Sequence, residues 1–339
     1  MKNKGLKFAV KSAALLLSVC ILIVIINFAY VRGYYYRDVY GEIEKMKNVP
    51  YNITMANFGT SHGLSCFRYP ENDKTKFNFA LSGEDIYHDF ATLKQFSDHL
   101  ENGCIVAIPT SYFSFCMSTE EPSQKRYYIY LDRKYIRQFS FESLINAKYF
   151  PVLRSGEFII KDLIKDQEHD IGAEMMDNNT VVNEDITNSI TENSGGNSAQ
   201  SVSSGLDAQL IAHAKGRAES WRSGYMVAGK IFINKNTELL IEMVTYCYES
   251  GFKPLLVTTP VYYALNERFT EKELNECYFN PVNRVVEATG VPYLNLSHDP
   301  QLSVNPEYYS NSDHMNSVGA AAFYKRYSEF LFETGYCAE

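Results

Sequence analysis

The pattern of apolar and polar positions divides the chain into one unbroken apolar run near its start and, beyond it, short apolar runs alternating with amphipathic periods. Residues 12–30, SAALLLSVCILIVIINFAY, approach the ~20 apolar residues that a helix needs to cross a bilayer. One transmembrane helix is therefore expected. The segment that follows, GYYYRDVYGEIEKMKN from Gly33 to Asn48, predicts a helix or stalk whose tyrosines sit at the headgroup interface. A first strand is predicted around Ile53, Met55 and Phe58, stopping at Gly59, and a second over Phe77–Leu81. Ile86, Phe90, Leu93, Phe96 and Leu100 recur at helical spacing after a loop containing Gly83. The continuous apolar run CIVAIP, Cys104–Pro109, is what a strand covered on both faces shows.

Farther along, a helix is expected over Leu206–Arg217. Leu239, Leu240, Met243, Val244 and Cys247 mark an amphipathic helix ended by Gly251. Pro254–Thr258 is a buried strand, Glu267–Thr289 is largely helical with a break around Pro281, and Val291–Leu296 is the last strand. A helix over Asn316–Phe332 closes the chain. Five strands alternating with helices predict an α/β fold, a three-layer sandwich with a mainly parallel, flavodoxin-like five-stranded sheet, preceded by the transmembrane helix. Two segments fall outside this alternation. Residues 111–158 carry aromatic clusters, SYFSF and KRYYIYLDRKYIRQF, and are expected to be irregular or helical material over the carboxyl edge of the sheet, more often packing than a lid. Residues 167–205 are polar, acidic and rich in Ser, Asn and Gly, the composition of a disordered surface insertion.

The expected organisation is a cytoplasmic tail at 1–11, a membrane anchor at 12–31, a stalk at 32–48 and an extracytoplasmic domain at 49–336. Lys2, Lys4, Lys7 and Lys11 precede the anchor, against Arg32 and Arg37 after it, which orients the amino terminus to the cytoplasm. A cleaved signal peptide is disfavoured, because the apolar core is too long and no A-x-A-like site follows. The net charge of −8 excludes nucleic acid as a natural partner. The 7 cysteines are irregularly spaced and form no zinc pattern, so no metal site and no cofactor are expected, and one or two disulfides at most.

Candidate chemistry lies in two stretches. In YNITMANFGTSHGLSC, the strand ends at Gly59 and presents Ser61 where it turns into the next element, the layout of a nucleophile on a strand-to-helix elbow. Near the other end of the chain, SNSDHMNSVGAAAF offers His314 with Asn311 and Asp313 beside it. His62 is read as a structural or substrate-edge histidine, because adjacent residues at an elbow point apart. Glu84, Asp85, His88 and Asp89 are read as a helix-start cluster rather than a site, and His298 and Asp299 as loop residues.

These stretches, with Gly83 in the second block and the N-x-x-G-A that follows His314, resemble the SGNH (GDSL-like) hydrolase superfamily, and within it the membrane-anchored branch similar to alginate O-acetylation and D-alanyl-lipoteichoic acid transfer proteins. The resemblance implies Ser61 as nucleophile and His314 as general base, with the backbone N–H groups of Ser61 or His62 and of Gly83 as the oxyanion hole. The extracytoplasmic anchor makes an envelope or secreted glycan, or a teichoic-type polymer, the expected substrate or acceptor, and the resemblance alone implies an acyl-exporting membrane protein as partner. Two positions depart from the family pattern. Asn311 stands where an Asp is usual, three residues before the His, and Thr110, Ser111 and Tyr112 stand where the third-block Asn is expected. The implied function is a membrane-anchored serine O-acyltransferase or acyl esterase. The alternative is a catalytically silent domain of the same fold that binds glycan or assembles an envelope-modification complex.

Overall fold

The computed structural model describes residues 2–70, 72–119, 125–137, 139–154 and 198–337. Most of the segment expected to be a polar insertion lies outside these residues. Its last part, from Ser198, is the start of a helix.

The chain forms two compact units, Met1–Asn48 with Glu121–Asp170, and Val49–Glu120 with Ile171–Glu339. The first contains α1 (Lys2–Tyr30) and α2 (Tyr34–Glu44), which runs into a single 3-10 turn at Lys45–Asn48. Residues 4–30 of α1 are long and apolar enough to cross a membrane, and none of that stretch's most apolar window is buried. Near its far end the stretch carries a polar side chain, Asn27. The Asn27 amide donates to the Tyr149 carbonyl at 3.1 Å and its oxygen accepts from Val152 N–H at 3.2 Å, which satisfies a group that bare hydrocarbon would leave unpaired. Tyr30, Tyr36 and Tyr40 are buried in one ring cluster, with centroids 5.6 and 4.9 Å apart.

The second unit is built on a five-stranded, wholly parallel sheet of β1 (Ile53–Asn57), β2 (Lys76–Asn78), β3 (Leu100–Thr110), β4 (Lys253–Thr258) and β5 (Tyr293–Asn295), in the order β2-β1-β3-β4-β5. That order is the flavodoxin-like one. Ala56 pairs with both Phe77 and Val106, which places β1 inside the sheet and explains why its burial does not alternate. Helices α4 (Ile86–Gln95), α6 (Ile233–Glu249) and α7 (Asn280–Thr289) pack side by side in one layer, and α3 (Ser61–Cys66) packs with α8 (Ser317–Glu333) in the other. Helix α5 (Ser198–Trp221) lies between β3 and α6 in the chain. On α6, Leu240, Met243, Val244 and Cys247 are fully buried at helical spacing, and covering each of the larger ones is worth about 1.5–3 kcal/mol.

Three expectations change. Pro281 does not break a helix: it occupies the first turn of α7, where its missing N–H costs nothing, and the irregular stretch is the wide π turn before it, Asn275–Phe279. The aromatic region does not stay together. Residues 111–119 continue from β3 within the sheet's unit, while 125–154 form short helical turns of the other unit. Finally, the His314 loop is a small antiparallel ribbon, β6 (Tyr309–Asn311) with β7 (His314–Met315), too short to leave a periodic signal.

Candidate active site

In an open parallel sheet the direction of the connections reverses at one point, and the carboxyl edge there forms a crevice. Here the reversal lies between β1, which leads outward to β2, and β3 on its other side. Ser61 follows β1 and Ser111 follows β3, so both serines arrive at that crevice. The turn that carries Ser61 needs Gly59: its φ is +100°, and a Cβ there would lie 2.7 Å from the Pro109 carbonyl oxygen. Its N–H donates to a buried Asp89 oxygen at 2.7 Å, and its carbonyl accepts from Leu81 N–H at 3.1 Å. The acidic cluster thus divides. Asp85 caps α4 as expected, accepting from His88 N–H at 3.0 Å, whereas Asp89 anchors the elbow.

Ser61 is the first residue of α3 and half-buried, with the side chain of Thr60 capping the helix by accepting from His62 N–H at 3.4 Å. Its Oγ lies 2.8 Å from His314 Nε2. Asn311 Oδ1 accepts from the backbone N–H of Asp313 at 3.1 Å and of His314 at 3.0 Å. Because both of those groups only donate, the side-chain oxygen, and not the amide nitrogen, must face this point. His314 Nδ1 lies 3.1 Å from the same oxygen and must therefore be the protonated ring nitrogen, which leaves the Nε2 lone pair directed at Ser61. Asn311 thus sets the tautomer of His314 while carrying no charge.

The charge is next door. Asp313 Oδ2 lies 3.7 Å from His314 Nδ1 and 3.3 Å from His62 Nε2, and Oδ1 accepts from Arg217 Nε at 3.0 Å. Burial by itself would raise the Asp313 pKa, but the His314 and His62 imidazoles and the Arg217 guanidinium outweigh it and hold the carboxyl well below the usual range. An ionised Asp313 only accepts, so His62 Nε2 carries its proton, and His62 Nδ1 then accepts from Ser111 Oγ at 2.8 Å. His62 is buried at 2% exposure among these partners and the rings of Phe113 and Trp221.

Of the residues expected at the site, Ser61, His62, Asn311, Asp313 and His314 come together. Gly83 is exposed at φ +64°, two residues past the Leu81 that bonds to the elbow. Arg217, His213 and Ser111 are additions that the structure makes. Nothing in the sequence marks Arg217 and His213, since α5 is read from it only as a helix beginning at Leu206, and Ser111 is legible only as an absent Asn. The nitrogen and oxygen atoms of His62, Asp313 and His314 lie within 4.8 Å of one another, a spacing compatible with a metal ion. Those atoms are already occupied by Ser111, Asn311 and one another, and Arg217 brings a positive charge against the carboxylate, so the donor set fits a hydrogen-bond array better than a cation.

No family model matches the sequence, and no curated protein does. Among solved structures, the chain is similar to a Bacteroides fragilis protein to which acylhydrolase activity is ascribed, at 9% identity and a TM-score of 0.38, over 86% of this chain and 94% of that one.

Proposed function

We propose that the chain is a membrane-anchored serine acyl esterase or O-acyltransferase of the SGNH type, whose domain faces the extracytoplasmic side and acts on an envelope or secreted glycan. The observation that carries the reading is the 2.8 Å contact between Ser61 Oγ and the unprotonated Nε2 of His314 on a strand-to-helix elbow. A hydroxyl becomes a useful nucleophile when a neighbouring base can take its proton as the new bond forms. In this reading His314 Nε2 removes the Ser61 proton while Oγ attacks the acyl carbonyl. The tetrahedral oxyanion is held by backbone N–H groups; the resemblance names those of Ser61, His62 and Gly83, of which His62 N–H would have to leave Thr60 Oγ, its 3.4 Å partner, to serve. Collapse expels the donor's alkoxide, which takes the proton from His314. Water or a sugar hydroxyl then attacks the Ser61 ester by the reverse sequence.

An acyl-exporting membrane partner would supply the donor and belongs to the same proposal, as does the cytoplasmic amino terminus. A silent, glycan-binding domain is the second reading, favoured by Asn311 in place of the usual acid. The full-length chain in detergent is given p-nitrophenyl acetate, and the intact mass is read after rapid acid quenching. An acetyl adduct on Ser61 that is lost in Ser61→Ala and His314→Ala supports the acyl-enzyme. Failure to form any adduct, with all three proteins folded alike, favours the silent domain.

A further inference from the structure

The ring of His314 has its orientation from Asn311, yet a neutral amide cannot stabilise the imidazolium that forms when the base takes a proton. In a Ser-His-Asp triad that stabilisation comes from a carboxylate. The arrangement around Asp313 contains one at the right place, held by an element far away in sequence. Three α5 side chains spaced one turn apart, His213, Arg217 and Trp221, meet Ser312, Asp313 and His62 respectively. Ser312 N–H donates to His213 Nδ1 at 3.3 Å, and Arg217 Nε bonds Asp313 Oδ1 at 3.0 Å, so two consecutive residues of the His314 loop are clamped by one helix face.

We propose that the tautomer-setting and charge-supplying duties of a triad acid are split in this protein: Asn311 does the first, and Asp313 does the second, with Arg217 fixing the carboxylate and setting how much of its charge His314 feels. Asp313 and Arg217 are positioning residues, since neither touches the nucleophile. The inference rests on the reading of His314 as the base. Among the described residues, charged and titratable side chains face His314 from more than one element. From its own loop comes Asp313, from α3 comes His62 with its ring centroid 5.0 Å away, and from α5 come Arg217 and His213, through Asp313 and Ser312. Arg68, just after α3, donates to the Met315 carbonyl at 3.4 Å.

The consequence differs from that of a merely structural pair. Removing Asp313's charge leaves His314 facing Arg217 without a counter-ion, which disfavours the imidazolium. Removing Arg217's charge leaves the carboxylate undiluted, which favours it. The full-length chain, labelled with ¹⁵N-histidine in detergent, is titrated by NMR, with the His314 signals assigned from His314→Gln. Asp313→Asn is expected to move the His314 midpoint down by about one pH unit or more and Arg217→Gln to move it up, opposite shifts from one ion pair. Asn311→Asp added to Asp313→Asn is expected to bring the midpoint back up, because a carboxylate again faces Nδ1. No displacement in either single variant, or displacement of both in one direction, overturns the proposal. Fluorophosphonate reactivity of the wild type is followed alongside. An inert Ser61 with opposite shifts present overturns the catalytic reading and leaves the charge arrangement standing, whereas a reactive Ser61 with absent shifts overturns the charge arrangement alone.

Discussion

Replacing Gly59 by alanine tests whether the elbow is as constrained as its geometry states. The added Cβ would sit 2.7 Å from the Pro109 carbonyl oxygen, closer than the 3.0 Å that real Cβ atoms essentially never breach. That oxygen belongs to β3, whose register against β1 pairs Ala107 with Asn57, so it cannot retreat without disturbing the centre of the sheet. Overpacking of this kind costs about 1–3 kcal/mol. The φ of +100° adds strain of about 1–3 kcal/mol for a residue with a side chain. Together they remove about 4 kcal/mol, which lowers the melting temperature of a domain this size by about 10 °C. Gly290 provides the control. It ends α7 at φ +69°, and a Cβ added there would meet nothing within 4 Å, so Gly290→Ala carries only the backbone cost of about 1 kcal/mol. Both variants of the full-length chain would be melted in detergent and followed by circular dichroism. A Gly59→Ala melt within about 3 °C of the Gly290→Ala melt would refute the steric argument.

Two further outcomes follow from the packing and the charges. Cys66, Cys104 and Cys247 are free and buried, and burial pushes the Cys66 and Cys104 thiols up to about 12 and the Cys247 thiol higher still, so at about pH 8 an aromatic disulfide reagent should find Cys337 quickly and these three only after denaturation. Fast reaction of any of these three in the folded protein would contradict the core assignment. The second outcome concerns Glu273, whose pKa is lowered to about 2 chiefly by its bond to Arg222 at 2.6 Å. Its folded value lies below the unfolded one, so its stabilisation is present above about pH 4.5 and is lost as pH falls towards 2. Both side chains are about a third exposed, which discounts the effect to ~1 kcal/mol. Urea midpoints of wild type and Glu273→Gln should therefore differ near neutrality and converge in acid. A gap that persists unchanged at about pH 2 would assign the effect to packing.

The layers are legible because β1, β3 and β4 are apolar runs bounded by turn residues and helices such as α6 keep a 3.6-residue period, with Leu240, Met243, Val244 and Cys247 on one face. Ser61 is legible for the same reason, since Gly59 stops a strand and Ser61 opens the helix that follows Thr60. Asn311, Asp313 and His314 can be read as neighbours but not as partners. Which of two acidic or amide groups faces a ring depends on the backbone turn of a two-strand ribbon, and local spacing does not encode that turn. Arg217 illustrates the remaining limit. Its role is set by α5 packing over Asp313, 96 positions away in the chain, and no local pattern distinguishes it from a solvated arginine. Asp89 escapes a local reading for a related reason: a carboxylate in a first helical turn fits the dipole, and only the tertiary approach of Gly59 N–H gives it a second task.

The central claim, that His314 activates Ser61, is tested most directly by treating the full-length chain in detergent with a fluorophosphonate probe and mapping the adduct by peptide mass. The account predicts a single phosphonylated residue, Ser61, with labelling abolished in Ser61→Ala and slowed by about a hundredfold or more in His314→Ala. Labelling that ignores His314→Ala, or an adduct at another serine, would contradict it.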